Sequence, residues 1–160
     1  MVTQLEEAQP GGWGGRGLVT PTTQLPQSRG LGQTWDPDLL RQAAAEEAYE
    51  TRRAFNKYQK GGLVVRAPNA DLSRDPRWGR SEESYGEDAY LVGMLAATFS
   101  EGLQGNHPKT WMTASLLKHF LANSNEDGRD GSSSDFDGRL FHEYYAVPFR
   151  MRLRMATPTP

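Results

Sequence analysis

Arg77 and Arg80 flank Trp78 in the run Asp75-Pro76-Arg77-Trp78-Gly79-Arg80-Ser81-Glu82-Glu83-Ser84-Tyr85-Gly86-Glu87-Asp88, and further along the chain Lys118 and His119 stand side by side. Cations and an imidazole with carboxylates close by are groups that grip a hydroxyl-rich ligand. A guanidinium presents a rigid fork of donors suited to vicinal hydroxyls or to a carboxylate. An imidazole can donate to a hydroxyl or shuttle a proton. One of the two arginines is expected to brace its own loop against Glu82, Glu83, Glu87 or Asp88, leaving Arg80 for the ligand. Lys118 ends an otherwise uncharged stretch, where an ammonium is costly unless it is paired or faces a wet pocket. His107 and His142 lack that setting and read as a loop residue and a helix-surface residue.

Other chemistries find less support. Glycoside hydrolysis needs a pair of carboxylates, and Glu82, Glu83, Glu87 and Asp88 are candidates by number, but loop bracing against Arg77 and helix capping account for them better. His119, Glu126 and Asp127 are near one another without the helical spacing of metal ligands, so no metal is expected. Ser132-Ser133-Ser134 has no nucleophile-elbow glycines around it. The glycine-rich stretch Gly11–Gly17 lacks the Lys-Ser/Thr ending of a phosphate loop and reads as a flexible loop around Trp13.

The elements that must position these groups are legible from periodicity. Asp36 is a suitable cap and Pro37 a suitable first residue for a helix that carries Leu39, Leu40, Ala43, Ala44, Glu47 and Ala48 and runs to about Tyr58. Gly61-Gly62 is expected to end it. Leu63 to Ala67 reads as a short buried strand closed by Pro68. The polar stretch from Asn69 to Asp88 is long for a loop, which is a mark of function. Glu87-Asp88 opens a second helix with Leu91, Met94, Leu95, Thr98, Phe99 and Leu103 on one face, ended by Gly102 and Gly105. Ala114 to Phe120 is a second strand, followed by a polar loop from Asn123 to Asp137. Asp137 is expected to cap a third helix bearing Leu140, Phe141, Tyr144, Tyr145 and Val147, interrupted at Pro148. Arg152 to Pro160 reads as a frayed tail. Helix and strand alternate, which favours a parallel sheet with right-handed crossovers. In a (β/α) barrel, function sits on loops after the strands, and both polar motifs occupy that position.

The chain has 160 residues, enough for one domain with a core, and Lys and Arg number 18 against 20 Asp and Glu. No basic run suggests nucleic acid as a partner. Cysteine is absent, which excludes disulfides and thiolate metal sites. The start, Met1 to Glu7, is acidic with no apolar stretch, so neither a signal peptide nor a membrane span is expected, and an intracellular location follows if that start is authentic. Seventeen glycines and ten prolines imply many loops, and four tryptophans fit either a core role or sugar stacking.

The run Asp75 to Arg80 with Glu82 to Asp88 closely resembles the signature stretch of glycoside hydrolase family 3. The resemblance extends upstream through Leu25-Pro26-Gln27 and Gly30-Leu31-Gly32-Gln33-Thr34-Trp35-Asp36-Pro37. Downstream it continues in order through Gly102-Leu103-Gln104-Gly105, Lys118-His119-Phe120 and Glu143-Tyr144-Tyr145-Ala146-Val147-Pro148-Phe149. It covers Gly11 to Arg150.

The resemblance implies an α/β fold that is an incomplete part of a (β/α)8 TIM-barrel-like domain. It implies residues 1–10 as a start outside the family, 11–151 as the partial N-terminal domain and 152–160 as an aberrant tail. Members are retaining β-glucosidases and relatives such as β-xylosidases. The resemblance implies that Arg80, Lys118 and His119 contact sugar hydroxyls in the -1 subsite, and that the substrate is a β-linked glucoside or oligosaccharide with no cofactor. It further implies that the nucleophilic Asp and the acid/base Glu lie in regions this sequence does not contain. The isolated chain is then expected to bind without turning over, to be marginally stable and to self-associate through open strand edges. The alternative expectation is a non-catalytic carbohydrate-binding or assembly piece that needs a complementing chain.

Overall fold

A computed structural model of the chain describes residues 22–59 and 62–156. The start at residues 1–10, the glycine-rich stretch Gly11–Gly17, Gly61 and the end from Thr157 lie outside the described residues. After a short helix α1 (Ser28–Gly32) come α2 (Pro37–Tyr58), β1 (Val64–Val65), α3 (Ala89–Gln104) and β2 (Ala114–Ser115). A last helical segment begins as α4 (Gly138–Leu140), widens through a π-helical turn at Phe141–Tyr145 and ends as α5 (Val147–Ala156).

The two strands pair in parallel, Val64 with Ala114 and Val65 with Ser115. The ladder is shorter than the sequence suggests. Pro68 has no N–H to donate, so regular pairing breaks there. It resumes as a single parallel bridge between Asn69 and Lys118, where Lys118 N–H donates to the Pro68 carbonyl at 3.2 Å and Ala70 N–H to the Lys118 carbonyl at 2.6 Å. This bridge places the start of the polar loop directly beside Lys118. The Ala67–Pro68, Lys118–His119 and Phe120–Leu121 peptide bonds are cis.

Helix α2 follows its caps. The Asp36 carboxylate accepts from Leu39 N–H, and Leu40, Ala44, Glu47, Ala48, Thr51 and Ala54 form the buried stripe. At its end Gln59 adopts the left-handed conformation at φ 51° and returns its N–H to the Phe55 carbonyl. Helix α3 starts where Asp88 accepts from Leu91 N–H. It is buried nearly all round, because α2 packs on one flank and α5 on the other. Two glycines set those approaches. A Cβ at Gly102 would stand 2.4 Å from the Arg41 carbonyl oxygen, and one at Gly93 would stand 2.5 Å from Met151 Sδ. The core joins Leu31, Leu40, Val65, Leu72, Tyr85, Val92, Leu95, Phe99, Leu103 and Phe149.

Asp137 caps the last helical segment through Leu140 N–H, as its sequence position suggests. The interruption falls ahead of Pro148, whose ring cannot donate to the Tyr144 carbonyl. Ala146 N–H instead reaches back to the Phe141 carbonyl at 2.9 Å. Beyond Pro148 the frayed segment expected from Arg152 is not what forms. The helix continues to Ala156, and Arg152 is buried with its guanidinium donating to Gln104 Oε1 at 2.6 Å. Among the described residues no helix is long and apolar enough to cross a membrane.

Candidate active site

The loop from Asn69 to Asp88 is held by a few buried bonds. Ser84 Oγ donates to the Asp71 and Gly86 carbonyls, at 2.7 and 2.9 Å. Ser73 N–H donates to the Gly86 carbonyl at 2.9 Å, and the Arg29 guanidinium donates to Ser73 Oγ at 2.7 Å. Tyr85 is fully buried, tilted against Phe99. Its carbonyl lies so close to Gly32 that a Cβ there would stand 2.1 Å from the oxygen. The loop is thus pinned by helices α1 and α3 while its polar tip faces the end of β2.

Six side chains meet at that tip. Arg80 is gripped by Glu83, with Nε donating to Oε1 at 2.7 Å and Nη2 to Oε2 at 2.6 Å. Lys118 Nζ lies 3.5 Å from the same Oε2, and Asn69 Nδ2 is also at 3.5 Å from it. Arg80 Nη2 lies 3.3 Å from His119 Nε2. His119 Nδ1 lies 2.7 Å from Asp71 Oδ2, which also accepts the His119 backbone N–H at 3.2 Å. The structure therefore brings Arg80, Lys118 and His119 into one cluster, as the sequence suggested.

A second loop closes the cluster from the other side. Glu126 accepts from Trp78 Nε1 at 3.1 Å and from Arg129 Nη1 at 2.7 Å, and stands 3.8 Å from Arg80 Nη1. Trp78 is buried, so it links the two loops and offers no stacking face. Trp35 and Trp111 are exposed.

Arg80 and Glu83 shift each other. The Arg80 guanidinium is raised, chiefly by its bond to Glu83, against burial. For Glu83 burial is the largest influence and raises the carboxyl. The Arg80 hydrogen bond, the Lys118 and Arg80 charges and the Asn69 bond together outweigh it, and the net direction is down.

Two sequence readings are revised here. Glu83 braces Arg80 and Lys118, not Arg77. Arg77 pairs with Asp75 instead, at 2.7 Å on the exposed side, and that hydrogen bond holds the Asp75 carboxyl at about 2. The glutamate expected to hold the bracing arginine thus holds Arg80, the arginine expected to be left for the ligand, and Arg77 is held by its near neighbour. Asp71 and Asn69 were not singled out, because in sequence they are two more polar loop residues. The clue lay in their place immediately after Pro68, opposite the strand end that carries Lys118-His119. His107 stays in its loop, its Nδ1 beside Thr110 Oγ1 at 2.8 Å, and His142 lies exposed on the last helical segment. Among the described residues no group of three or more His, Asp or Glu is placed to hold a metal ion.

The chain as a whole is similar to known proteins. Residues 6–157 match the model of the glycosyl hydrolase family 3 N-terminal domain. A β-glucosidase from Kluyveromyces marxianus is 35% identical over 138 residues, which cover 86% of this chain and 15% of that protein. A β-xylosidase from Formosa agariphila is 36% identical over 140 residues, 84% of this chain and 18% of that protein. Among solved structures, a GH3 exo-β-xylosidase in complex with a xylobiose aziridine probe superposes with a TM-score of 0.80 at 25% identity, covering 94% of this chain and 20% of that one. The Kluyveromyces marxianus β-glucosidase in complex with glucose superposes with a TM-score of 0.73 at 34% identity, covering 86% and 15%. The chain thus spans no more than a fifth of the length of these relatives. Its two-stranded parallel unit with flanking helices is a partial α/β domain, an incomplete barrel of the kind expected. From its signature loop to its last helix, this chain belongs to glycosyl hydrolase family 3.

Proposed function

We propose that this chain is the sugar-gripping part of a glycosidase that acts on β-glucosides or β-xylosides, with Arg80, Lys118 and His119 contacting ring hydroxyls. The observation that carries this reading is the charge balance of the cluster. Arg80, Lys118 and Arg129 stand against Glu83, Glu126 and Asp71, each within 4 Å of an opposite charge or of His119. A phosphate or carboxylate site would hold an excess of cations. A balanced cluster of donors and acceptors suits a neutral polyol, whose hydroxyls both donate and accept. The names of the relatives, β-glucosidase and β-xylosidase, support the same substrate class.

The residues position the ring and do not break the bond. Retaining hydrolysis requires one carboxylate free to attack and another free to protonate. Glu83, Glu126 and Asp71 are each held by cationic or imidazole partners and serve as braces. Arg80 and Lys118 direct their donors to hydroxyls and stabilise charge that builds on the ring. The chain by itself therefore binds and does not turn over.

The test is calorimetric titration of the chain with methyl β-glucoside and methyl β-xyloside, beside an aryl β-glucoside hydrolysis assay. Saturable binding that is lost in Arg80→Ala, with no turnover, is the expected result. Absence of binding to either sugar overturns the substrate class. Turnover lost in Arg80→Ala overturns the division between grip and chemistry.

A further inference from the structure

The ring of His119 is hydrogen-bonded at both nitrogens, and the two partners agree on where its proton sits. On one side Asp71 Oδ2 is 2.7 Å from Nδ1. A carboxylate accepts, so Nδ1 carries the hydrogen. On the other side Nε2 lies 3.3 Å from Arg80 Nη2. A guanidinium has donors only, so Nε2 presents its lone pair. The Asp71 side chain is 1% exposed whereas that of His119 is 27% exposed, which puts the acid behind the ring and leaves the ring reachable. Asp71 is itself fixed: its N–H donates to Asn69 Oδ1 at 2.8 Å, and its carbonyl accepts from Ser84 Oγ.

We propose that Asp71 is a positioning residue that locks His119 as the Nδ1–H tautomer, so that a ligand hydroxyl takes the place of Arg80 at Nε2 and donates there, while the released Arg80 N–H and Lys118 donate to the ligand. The part that concerns the ligand rests on the sugar-site reading above; the tautomer does not. The imidazole, which the sequence offered as a donor to a hydroxyl or a proton shuttle, is in this tautomer an acceptor at Nε2. A hydroxyl next to His119 then has its direction set: it gives its hydrogen to Nε2 and receives one from a cation. An amine that arrives protonated can give its hydrogen to Nε2 but cannot accept from Arg80 or Lys118. A methoxy group in the same place can accept but has no hydrogen to give. The site distinguishes a hydroxyl from both.

Two-bond nitrogen–proton NMR on the intact chain reads the tautomer directly, with His119 assigned by comparison with His119→Gln. The expected spectrum shows a protonated Nδ1 and a bare Nε2 in the free chain. A bare Nδ1 with a protonated Nε2 overturns the proposal. In Asp71→Ala, and in the near-isosteric Asp71→Leu should the first not fold, the acceptor at Nδ1 is gone and the Nδ1–H form is expected to lose its dominance. An unchanged tautomer in a folded variant overturns the role of Asp71. Methyl β-glucoside affinity is then expected to fall about tenfold in the same variant, the size of one lost hydrogen bond. A tautomer that shifts while affinity stays the same overturns the acceptor role of Nε2 and leaves the lock standing. A free chain with the expected tautomer that binds no sugar overturns only the substrate reading.

Discussion

Glu83 meets Arg80 with both oxygens of its carboxylate, a paired fork-to-fork contact at 2.7 and 2.6 Å. Such bidentate contacts are stronger and more directional than a single charged bond. The same carboxylate also faces Lys118, so one residue orients both cations of the cluster. Glu83→Gln keeps the shape and removes the charge. It is expected to cost about 2 kcal/mol, since two half-buried cations lose their counter-charge. Urea unfolding measures this, and a loss below about 0.5 kcal/mol would show that solvent screens the contact.

The direction of the Glu83 shift gives a pH dependence. Its carboxyl is held below the ordinary value of 4.5. As pH falls, the unfolded chain takes up the proton first, so stability falls with it. The contribution is complete above the ordinary glutamate range and disappears as pH drops through the lowered value. Urea midpoints for the chain and for Glu83→Gln are expected to converge as pH falls through and below the ordinary glutamate range. A constant gap between them would assign the acid sensitivity to other groups.

Gly102→Ala separates helix propensity from packing. In an open helix the change stabilises by about 1 kcal/mol. Here the new Cβ would meet the Arg41 carbonyl at 2.4 Å and Ala44 Cβ at 2.6 Å, both rigid. Overpacking of this kind costs about 1–3 kcal/mol, and net destabilisation is expected. Gly93→Ala meets first the flexible Met151 side chain, at 2.5 Å, and is expected to cost less. Thermal unfolding of the two variants checks the order.

Asp36 and Asp88 each satisfy a helix N-terminal N–H, that of Leu39 and Leu91. Replacement of either by Ala is expected to cost about 1 kcal/mol. Asp88→Ala carries a second readout. Helix α3 follows directly on the Asn69–Asp88 loop of the proposed sugar site, so its loss of order at the first turn is expected to weaken sugar binding, while Asp36→Ala leaves binding unchanged.

Val64, Leu116 and Phe120 are exposed at 51%, 47% and 70%, and they belong to or adjoin the two paired strands. Apolar side chains beside open strand edges promote pairing between copies. Sedimentation over a range of concentrations is expected to show reversible association, weakened by Phe120→Ser. A monomer at every concentration would remove the edges as association surfaces.

Much of this was legible in the residues. Capping acids at 36, 88 and 137 marked three helix starts because an Asp before a periodic apolar run has one economical use. The alternation of elements gave the parallel pairing, and the strand-end position of Lys118-His119 gave the site. What escaped was decided by tertiary contact. Ala96, Ala97 and Ser100 have no hydrophobic weight, yet all are buried, because small residues are what let flanking helices approach. The tail looked polar from Arg152, but one long arginine can lay its stem against a helix and bond a glutamine there. Asp71 looked like any loop acid until the bridge at Asn69 and Lys118 set it behind an imidazole.

The register that pairs Val64 with Ala114 has a kinetic side. Between these partners lie the whole Asn69–Asp88 loop and all of α3, so the contact closes a long stretch of chain, at an entropic cost that grows with the logarithm of its length. Pairings of this separation are slow steps in reaching the native state. Arg80 and Glu83 sit inside that stretch, while Lys118 and His119 sit just past its far end. No early, local event can bring the two halves of the cluster together. The cluster therefore comes into being at the pace of the slowest closure, and refolding should restore the contacts among Arg80, Lys118 and His119 no sooner than it restores the strand pair.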